Sequence, residues 1–181
     1  LGFDPDKVSS RLLLMENKGQ VTDLQGNLRP DVLFLGQNGG MKVAIRATGI
    51  SFQFEKREAA TKALASFSSL LKDTAAPKPT MTETYRIDLD LIGSNTAAEV
   101  THGPVSGYYE NYYNTPHAPE GILEVQSYEE ITFVNVYPGI DWKIYSQTGG
   151  LKYDFVVHPG ADPRMIRLHY EGATDVSLLP D

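Results

Sequence analysis

The feature that most limits what this chain can become is a pair of strictly alternating segments joined by a glycine-rich tetrapeptide. Ile140, Trp142 and Ile144 alternate with Asp141, Lys143 and Tyr145. After Gln147-Thr148-Gly149-Gly150, Leu151, Tyr153, Phe155 and Val157 alternate with Lys152, Asp154, Val156 and His158. A repeat of two residues builds one apolar and one polar face only on an extended strand; in a helix the same residues would spread around the axis. Closing the hairpin at Ser146 and Leu151 sets Trp142 opposite Phe155, Ile144 opposite Tyr153 and Lys143 opposite Asp154. Each aromatic or opposite-charge pair of that kind contributes roughly 0.2–1 kcal/mol.

The same period recurs upstream. Val43 and Ile45 alternate with Lys42, Ala44 and Arg46, and Ile50, Phe52 and Phe54 alternate with Ser51, Gln53 and Glu55. A two-residue turn at Thr48-Gly49 would pair Ile45 with Phe52 and Val43 with Phe54 on one face. It would pair Arg46 with Ser51 and Lys42 with Glu55 on the other. Further strands are expected at Arg11–Met15, Val32–Leu35, Tyr85–Ile92, Ile122–Gln126, Glu130–Val134 and Met165–Tyr170. Short strands punctuated by Gly, Pro and Asn predict an all-β fold: an antiparallel β-sandwich, with a barrel-like closure as the alternative.

One stretch departs from this pattern. The Ala-, Leu- and Lys-rich run from Glu58 to Lys72 favours helix, and Ala75-Ala76-Pro77-Lys78-Pro79-Thr80 reads as an extended linker. Residues 56–82 are therefore expected to form a variable helical or linker insertion, with one short helical excursion near 58–72. A chain of 181 residues suits a single β-rich domain over 1–181, burying about 70% of its unfolded surface without a metal or staple. Leu1-Gly2-Phe3-Asp4-Pro5-Asp6 has neither the basic start nor the apolar core of a signal peptide, and the chain is expected to be a fragment of a longer one.

Charge and composition narrow the chemistry. The net charge is −7 and there is no cysteine. The acidic balance argues against nucleic acid as a partner. The missing thiols exclude disulfides, thiol catalysis and thiolate metal sites. No apolar run reaches the ~18–20 residues of a membrane helix, so no membrane insertion is expected.

Of the candidate sites, the first is Tyr108-Tyr109-Glu110-Asn111-Tyr112-Tyr113-Asn114. Tyrosine faces stack on the apolar faces of sugars while amides and carboxylates fix hydroxyls, so Tyr108, Tyr109, Asn111, Tyr112, Tyr113 and Asn114 form a candidate ligand-binding segment. The competing reading is a strand and turn whose rings cap the core. Asp88 and Asp90 share one strand face about 7 Å apart. With Asp141, Asp154 and Glu171 they supply the acids a glycan-processing enzyme would need in pairs. A solvated strand face explains Asp88 and Asp90 as well, and Lys143 is the expected partner of Asp154. His102, His117, His158 and His169 show no HxH or HExxH spacing, so no zinc site is expected. No cofactor is required; calcium is the one cation kept open, through oxygens of 111–114 or Gly160-Ala161-Asp162, although no DxDxDG loop is present. Gly36-Gln37-Asn38-Gly39-Gly40 precedes a strand rather than a helix, so it reads as a turn and not as a phosphate loop.

Several segments together carry a resemblance. They are Glu16-Asn17-Lys18-Gly19-Gln20, Tyr128-Glu129-Glu130-Ile131, and Asn135-Val136-Tyr137-Pro138-Gly139-Ile140-Asp141. Leu151–Pro163, with its Tyr153-Asp154-Phe155-Val156-Val157-His158-Pro159-Gly160-Ala161-Asp162-Pro163 string, follows, then Ile166-Arg167-Leu168 and Tyr170-Glu171-Gly172-Ala173. The set resembles the N-terminal all-β domain of large secreted bacterial surface proteins, in which it precedes SBBP-type β-propeller repeats, Ig-like modules or a sorting domain. The resemblance spans roughly 11–55 and 83–181. It implies a secreted or cell-surface setting and neighbouring domains of the same chain as partners. It brings no catalytic residue with it, and the motifs read as architecture: Tyr137-Pro138-Gly139 as the turn into the hairpin, and Asp162 as a turn cap at its exit. The expected function is a non-catalytic structural or adhesive module. The alternatives are a carbohydrate-binding domain that uses the tyrosine segment, and a glycan-processing enzyme.

Overall fold

The computed structural model describes residues 12–38, 40–57, 82–113, 115–147 and 150–177. Twelve strands follow one another: β1 (Leu14–Glu16), β2 (Val32–Asn38), β3 (Met41–Arg46), β4 (Gly49–Arg57), β5 (Thr82–Leu91), β6 (Glu99–His102), β7 (Val105–Tyr112), β8 (Ile122–Tyr128), β9 (Glu130–Tyr137), β10 (Ile140–Gln147), β11 (Gly150–Val157) and β12 (Leu168–Glu171). A 3-10 turn, Pro163–Met165, precedes β12 and is capped by the Asp162 carboxylate, which accepts from Arg164 N. The strands form an eight-stranded sheet, β12-β5-β4-β3-β2-β1-β8-β7, and a four-stranded sheet, β11-β10-β9-β6. Neither sheet closes on itself, so the fold is a sandwich and not a barrel. Among the described residues no helix is long and apolar enough to cross a membrane.

The core lies between the sheets. Leu12, Leu14, Val43, Ile45 and Ile50 from the large sheet meet Ile131, Phe133, Ile140, Trp142 and Ile144 from the small one, all essentially without exposure. Trp142 is the centre of an aromatic group: its ring lies 5.2 Å from Phe133 and 6.4 Å from Phe155, with Tyr153 edge-on at 6.3 Å. The β10–β11 register follows the alternation residue for residue, with Ser146 opposite Leu151 and Trp142 opposite Phe155. The expected Lys143–Asp154 ion pair does not form. The two are opposite in register, but Lys143 Nζ reaches Glu130 at 2.8 Å and Asp154 accepts from the Tyr145 hydroxyl at 2.9 Å.

The upstream hairpin is shifted from its expected register by two residues. Ala47 and Thr48 form the loop, Ile45 faces Ile50, Val43 faces Phe52 and Lys42 faces Gln53. The faces are unchanged, because a slip of two preserves the side-chain period. Gly49 is the reason for the slip: it is the first residue of β4, pressed against β5 where a Cβ would lie 1.9 Å from the Leu89 carbonyl oxygen. A glycine needed at a strand–strand contact is not free to serve as the turn. Lys42 still reaches Glu55, diagonally, at 2.6 Å.

β4 continues through Arg57, which pairs with Thr82 of β5. Residues 56, 57 and 82 therefore belong to strands rather than to the expected insertion. The helical excursion near 58–72 lies outside the described residues. In β9 the alternation breaks: Ile131 and Phe133 are buried, and then the adjacent Val136 and Tyr137 both are. Asn135 makes the break by adopting φ 53, a left-handed conformation that Asn tolerates better than most residues. Its backbone N–H donates to Asp141 Oδ1 at 2.8 Å, and its own side-chain oxygen accepts from Gly139 N at 3.2 Å.

Candidate ligand-binding trough

The outward face of the large sheet carries a trough. In β7 alternation puts Tyr108, Glu110 and Tyr112 on this face. The Tyr108 hydroxyl donates to Glu110 Oε1 at 2.9 Å, and the Tyr112 hydroxyl lies 2.5 Å from Oε2. One carboxylate thus fixes two phenols. Tyr112 also leans across β8, its hydroxyl 3.2 Å from Met15 Sδ in β1. Burial, then the bond to Glu110, raises the Tyr112 phenol above its ordinary range. The bond to Glu110, then burial, raises Tyr108 likewise. Both remain neutral donors throughout the physiological range. The cavity between β7 and β3 is about 450 Å³, with Leu13, Met15 and Leu35 as its apolar floor and Lys42 at its far wall. Ser127, 1% exposed, is set into the same floor.

The expected tyrosine platform is therefore split between two faces. Tyr108 and Tyr112 line the trough. Tyr109 and Tyr113, 53% and 66% exposed, are not among its lining residues. Asn111 is used structurally: its side-chain oxygen accepts from Glu124 N at 2.8 Å, where Glu124 takes φ 53. Asn114 lies outside the described residues. Met15 and Lys42 are trough residues that the tyrosine segment alone does not reveal. A signal for Glu110 exists in the sequence, since it stands two residues from each of Tyr108 and Tyr112.

The five candidate acids are divided between the two sheets. Asp88 and Asp90 do share the outward face of β5, and Glu171 of β12 stands opposite Asp88. Asp88 is bound by Arg86 at 2.8 Å and by the Ser51 hydroxyl, and Asp90 by Arg46 at 3.0 Å. Burial raises the Asp88 carboxyl, but the bonds from Arg86 and Ser51 outweigh it and hold it below the usual range. Asp141 and Asp154 belong to the small sheet, well apart from these three in the topology. Among the described residues no three His, Asp or Glu side chains converge as metal ligands. Asp162 of the candidate calcium loop is bound by its neighbour Arg164 at 2.8 Å.

The histidines serve the scaffold. His117 Nε2 lies 2.7 Å from the Gly19 carbonyl, tying the β7–β8 loop to the segment after β1. His102 stacks on Tyr128 at 4.2 Å. His169 is exposed on β12. His158 Nε2 lies 2.8 Å from Asp141 Oδ2, and its backbone N–H donates to the Gly139 carbonyl at 2.9 Å. The two longest strings behind the sequence resemblance thus meet in one cluster around Asn135, Gly139, Asp141 and His158. Gly139 has φ 70 and its Cα faces Ala161, where a Cβ would come within 3.0 Å. The Glu16–Gln20 string is also architectural: Asn17 Nδ2 donates to the Arg29 and Val32 carbonyls at 2.9 and 2.7 Å.

This cluster has a pH signature. Burial pushes the Asp141 carboxyl up, but the Asn135 N–H and the His158 contact prevail and hold it below its ordinary value. A depressed carboxyl stabilises the fold fully above its unfolded pKa of ~3.9, and that stabilisation is lost as pH falls through the lower folded value. Asp141→Asn is expected to be less stable than the parent at pH 7. The difference should shrink as the pH drops below about 4, read by chemical denaturation at several pH values. A difference independent of pH would show that the carboxylate charge is not what Asn135 and His158 hold.

Searches of curated proteins and of solved structures return no match. The sequence model of the family described as a domain of unknown function, DUF7948, matches residues 14–181, from the first strand of the large sheet through β12 and beyond. That span takes in the trough, the Asn135–Asp141–His158 cluster and both sheets, and the chain belongs to the DUF7948 family.

Proposed function

We propose that this chain is a non-catalytic glycan-binding module of a secreted or cell-surface bacterial protein, with an adhesive role. The observation that carries this reading is the trough in which one carboxylate, Glu110, orients the phenols of Tyr108 and Tyr112 over an apolar floor. Oriented aromatic faces beside fixed polar groups suit the alternating apolar and hydroxyl-bearing faces of sugars. The non-catalytic part is supported by Asp88, Asp90 and Asp141, whose oxygens are committed to arginine, serine, histidine and backbone partners. The extracytoplasmic setting is supported by the resemblance to secreted surface proteins, and neighbouring domains of the parent chain are the other partners proposed.

The test is binding to a broad glycan array. The parent protein should bind, and Tyr108→Ala/Tyr112→Ala should weaken affinity at least about tenfold, since truncating a well-packed aromatic anchor costs ~1–3 kcal/mol of binding. Tyr109→Ala/Tyr113→Ala should bind like the parent. The reverse pattern would move the site to the other face of β7. A folded parent that binds no glycan favours a second reading, a structural spacer, which the turn-building use of the Asn135–Asp141 and His158–Pro163 strings also supports.

A further inference from the structure

The tyrosine cavity is half of a longer feature. A second cavity of about 220 Å³ adjoins it, and Leu35, Lys42 and Val43 line both. The second cavity continues over Ala44 of β3 and Ser51 and Gln53 of β4 to Arg86 of β5. From β7 to β5 the sheet order counts six strand spacings, about 29 Å at ~4.8 Å each if laid flat. A single sugar would fill only one end of such a trough.

The charges along it are arranged in a particular way. Arg29 is bound to Asp31 at 2.6 Å, Lys42 to Glu55 at 2.6 Å, Arg46 to Asp90 at 3.0 Å and Arg86 to Asp88 at 2.8 Å. Each cation at the second cavity already holds a carboxylate. At the tyrosine end the charge is Glu110, held by two phenols rather than by a cation. A polyanion would have to displace four ion pairs and approach Glu110, on a protein of net charge −7. An uncharged hydroxyl-rich chain meets neither cost, and finds Gln37 and Gln53 as additional polar groups.

We propose that the two cavities form one binding trough for an extended, uncharged polysaccharide chain that lies across the strands from Tyr108 to Arg86, past Lys42. This rests on the glycan-binding reading and adds ligand length, direction and charge to it.

The experiment is calorimetric titration of the folded protein with neutral oligosaccharide ladders of one to six units, built on glucose, xylose and N-acetylglucosamine, and with an oligogalacturonate ladder. For the neutral ladder that binds, affinity should rise at least tenfold from two units to six. Ala44→Trp, which places a ring in the second cavity only, should abolish that gain while leaving the two-unit affinity within twofold. Gln53→Trp repeats the block from a neighbouring strand should the first variant fold poorly. A length dependence untouched by both variants would overturn the continuous trough while leaving the glycan-binding reading intact. Tighter binding of the galacturonate ladder would overturn the neutral ligand. Absence of binding by every ladder would overturn the proposal together with the reading beneath it.

Discussion

Trp142→Ala is expected to destabilise the protein by about 3–5 kcal/mol, the range for removing a large aromatic side chain from a packed core. Trp142 has no exposure and contacts Phe133 in β9 and both Tyr153 and Phe155 in β11. Its removal would open a cavity in the centre of the small sheet where three strands meet, and β10 cannot collapse inward without breaking its ladders on both sides. The indole adds a second, separable effect. Its Nε1–H is buried and makes no hydrogen bond to any of the described residues, and burying an unpaired donor costs about 1–3 kcal/mol. Trp142→Phe should therefore be clearly less damaging than Trp142→Ala, because the smaller cavity comes with relief of that donor. Denaturant titration of both variants checks this. An alanine variant as stable as the parent would mean that the ring does not face the core.

Gly49→Ala should cost about 3 kcal/mol or more, at the upper end for forcing atoms into a packed region. A methyl there would lie 1.9 Å from the Leu89 carbonyl oxygen and 3.0 Å from the Asp90 Cα. Those are backbone atoms of β5, so no side-chain rotation relieves the clash; the two strands must part. Gly49 pairs directly with Asp90, and parting them would also disturb the Arg46–Asp90 contact that lies across the same strands. Thr48→Ala, one residue earlier in the hairpin loop, should stay within about 0.5 kcal/mol of the parent. Equal melting temperatures for Gly49→Ala and the parent would mean that β4 does not begin against β5 at this residue.

The residues that can be placed from the sequence are those whose neighbours are close along the chain. The β10–β11 register is legible because a glycine-rich tetrapeptide and an unbroken alternation leave one pairing that keeps Trp142 and Phe155 on the same face. The β3–β4 hairpin is legible in its faces but not in its register. A slip of two leaves the faces alike, and the deciding contact, Gly49 against Leu89, comes from a strand 40 residues away in number. Alternation alone ends β9 at Val134, because Asn135 breaks the pattern. The strand instead continues to Tyr137, the backbone of Asn135 being held by Asp141. β6 and β7 carry no clean apolar face, because β7 is an edge strand with exposed tyrosines and β6 is four residues long.

For the candidate site the division is similar. Tyr108 and Tyr112 are legible as part of an aromatic segment, but their separation from Tyr109 and Tyr113 depends on β7 being extended. Their shared partner, Glu110, becomes visible only once that is known. Lys42, Met15, Leu35 and Ser51 cannot be assigned to the trough from sequence at all. They come from four consecutive strands, and only the β1–β8 pairing between distant segments brings those strands beside Tyr108 and Tyr112.

Strand content, the sandwich class and the inward residues of the best-patterned hairpins all follow from the chain read alone, because a period of two is a local property that every residue reports. The eight-plus-four division of strands, the register at Gly49, the break in alternation at Asn135 and the trough across the large sheet do not. Each of these is set by a contact between distant segments or by a backbone turn that no alternation announces. There, backbone hydrogen bonding and close packing, rather than hydrophobic patterning, choose among alternatives that look the same along the chain.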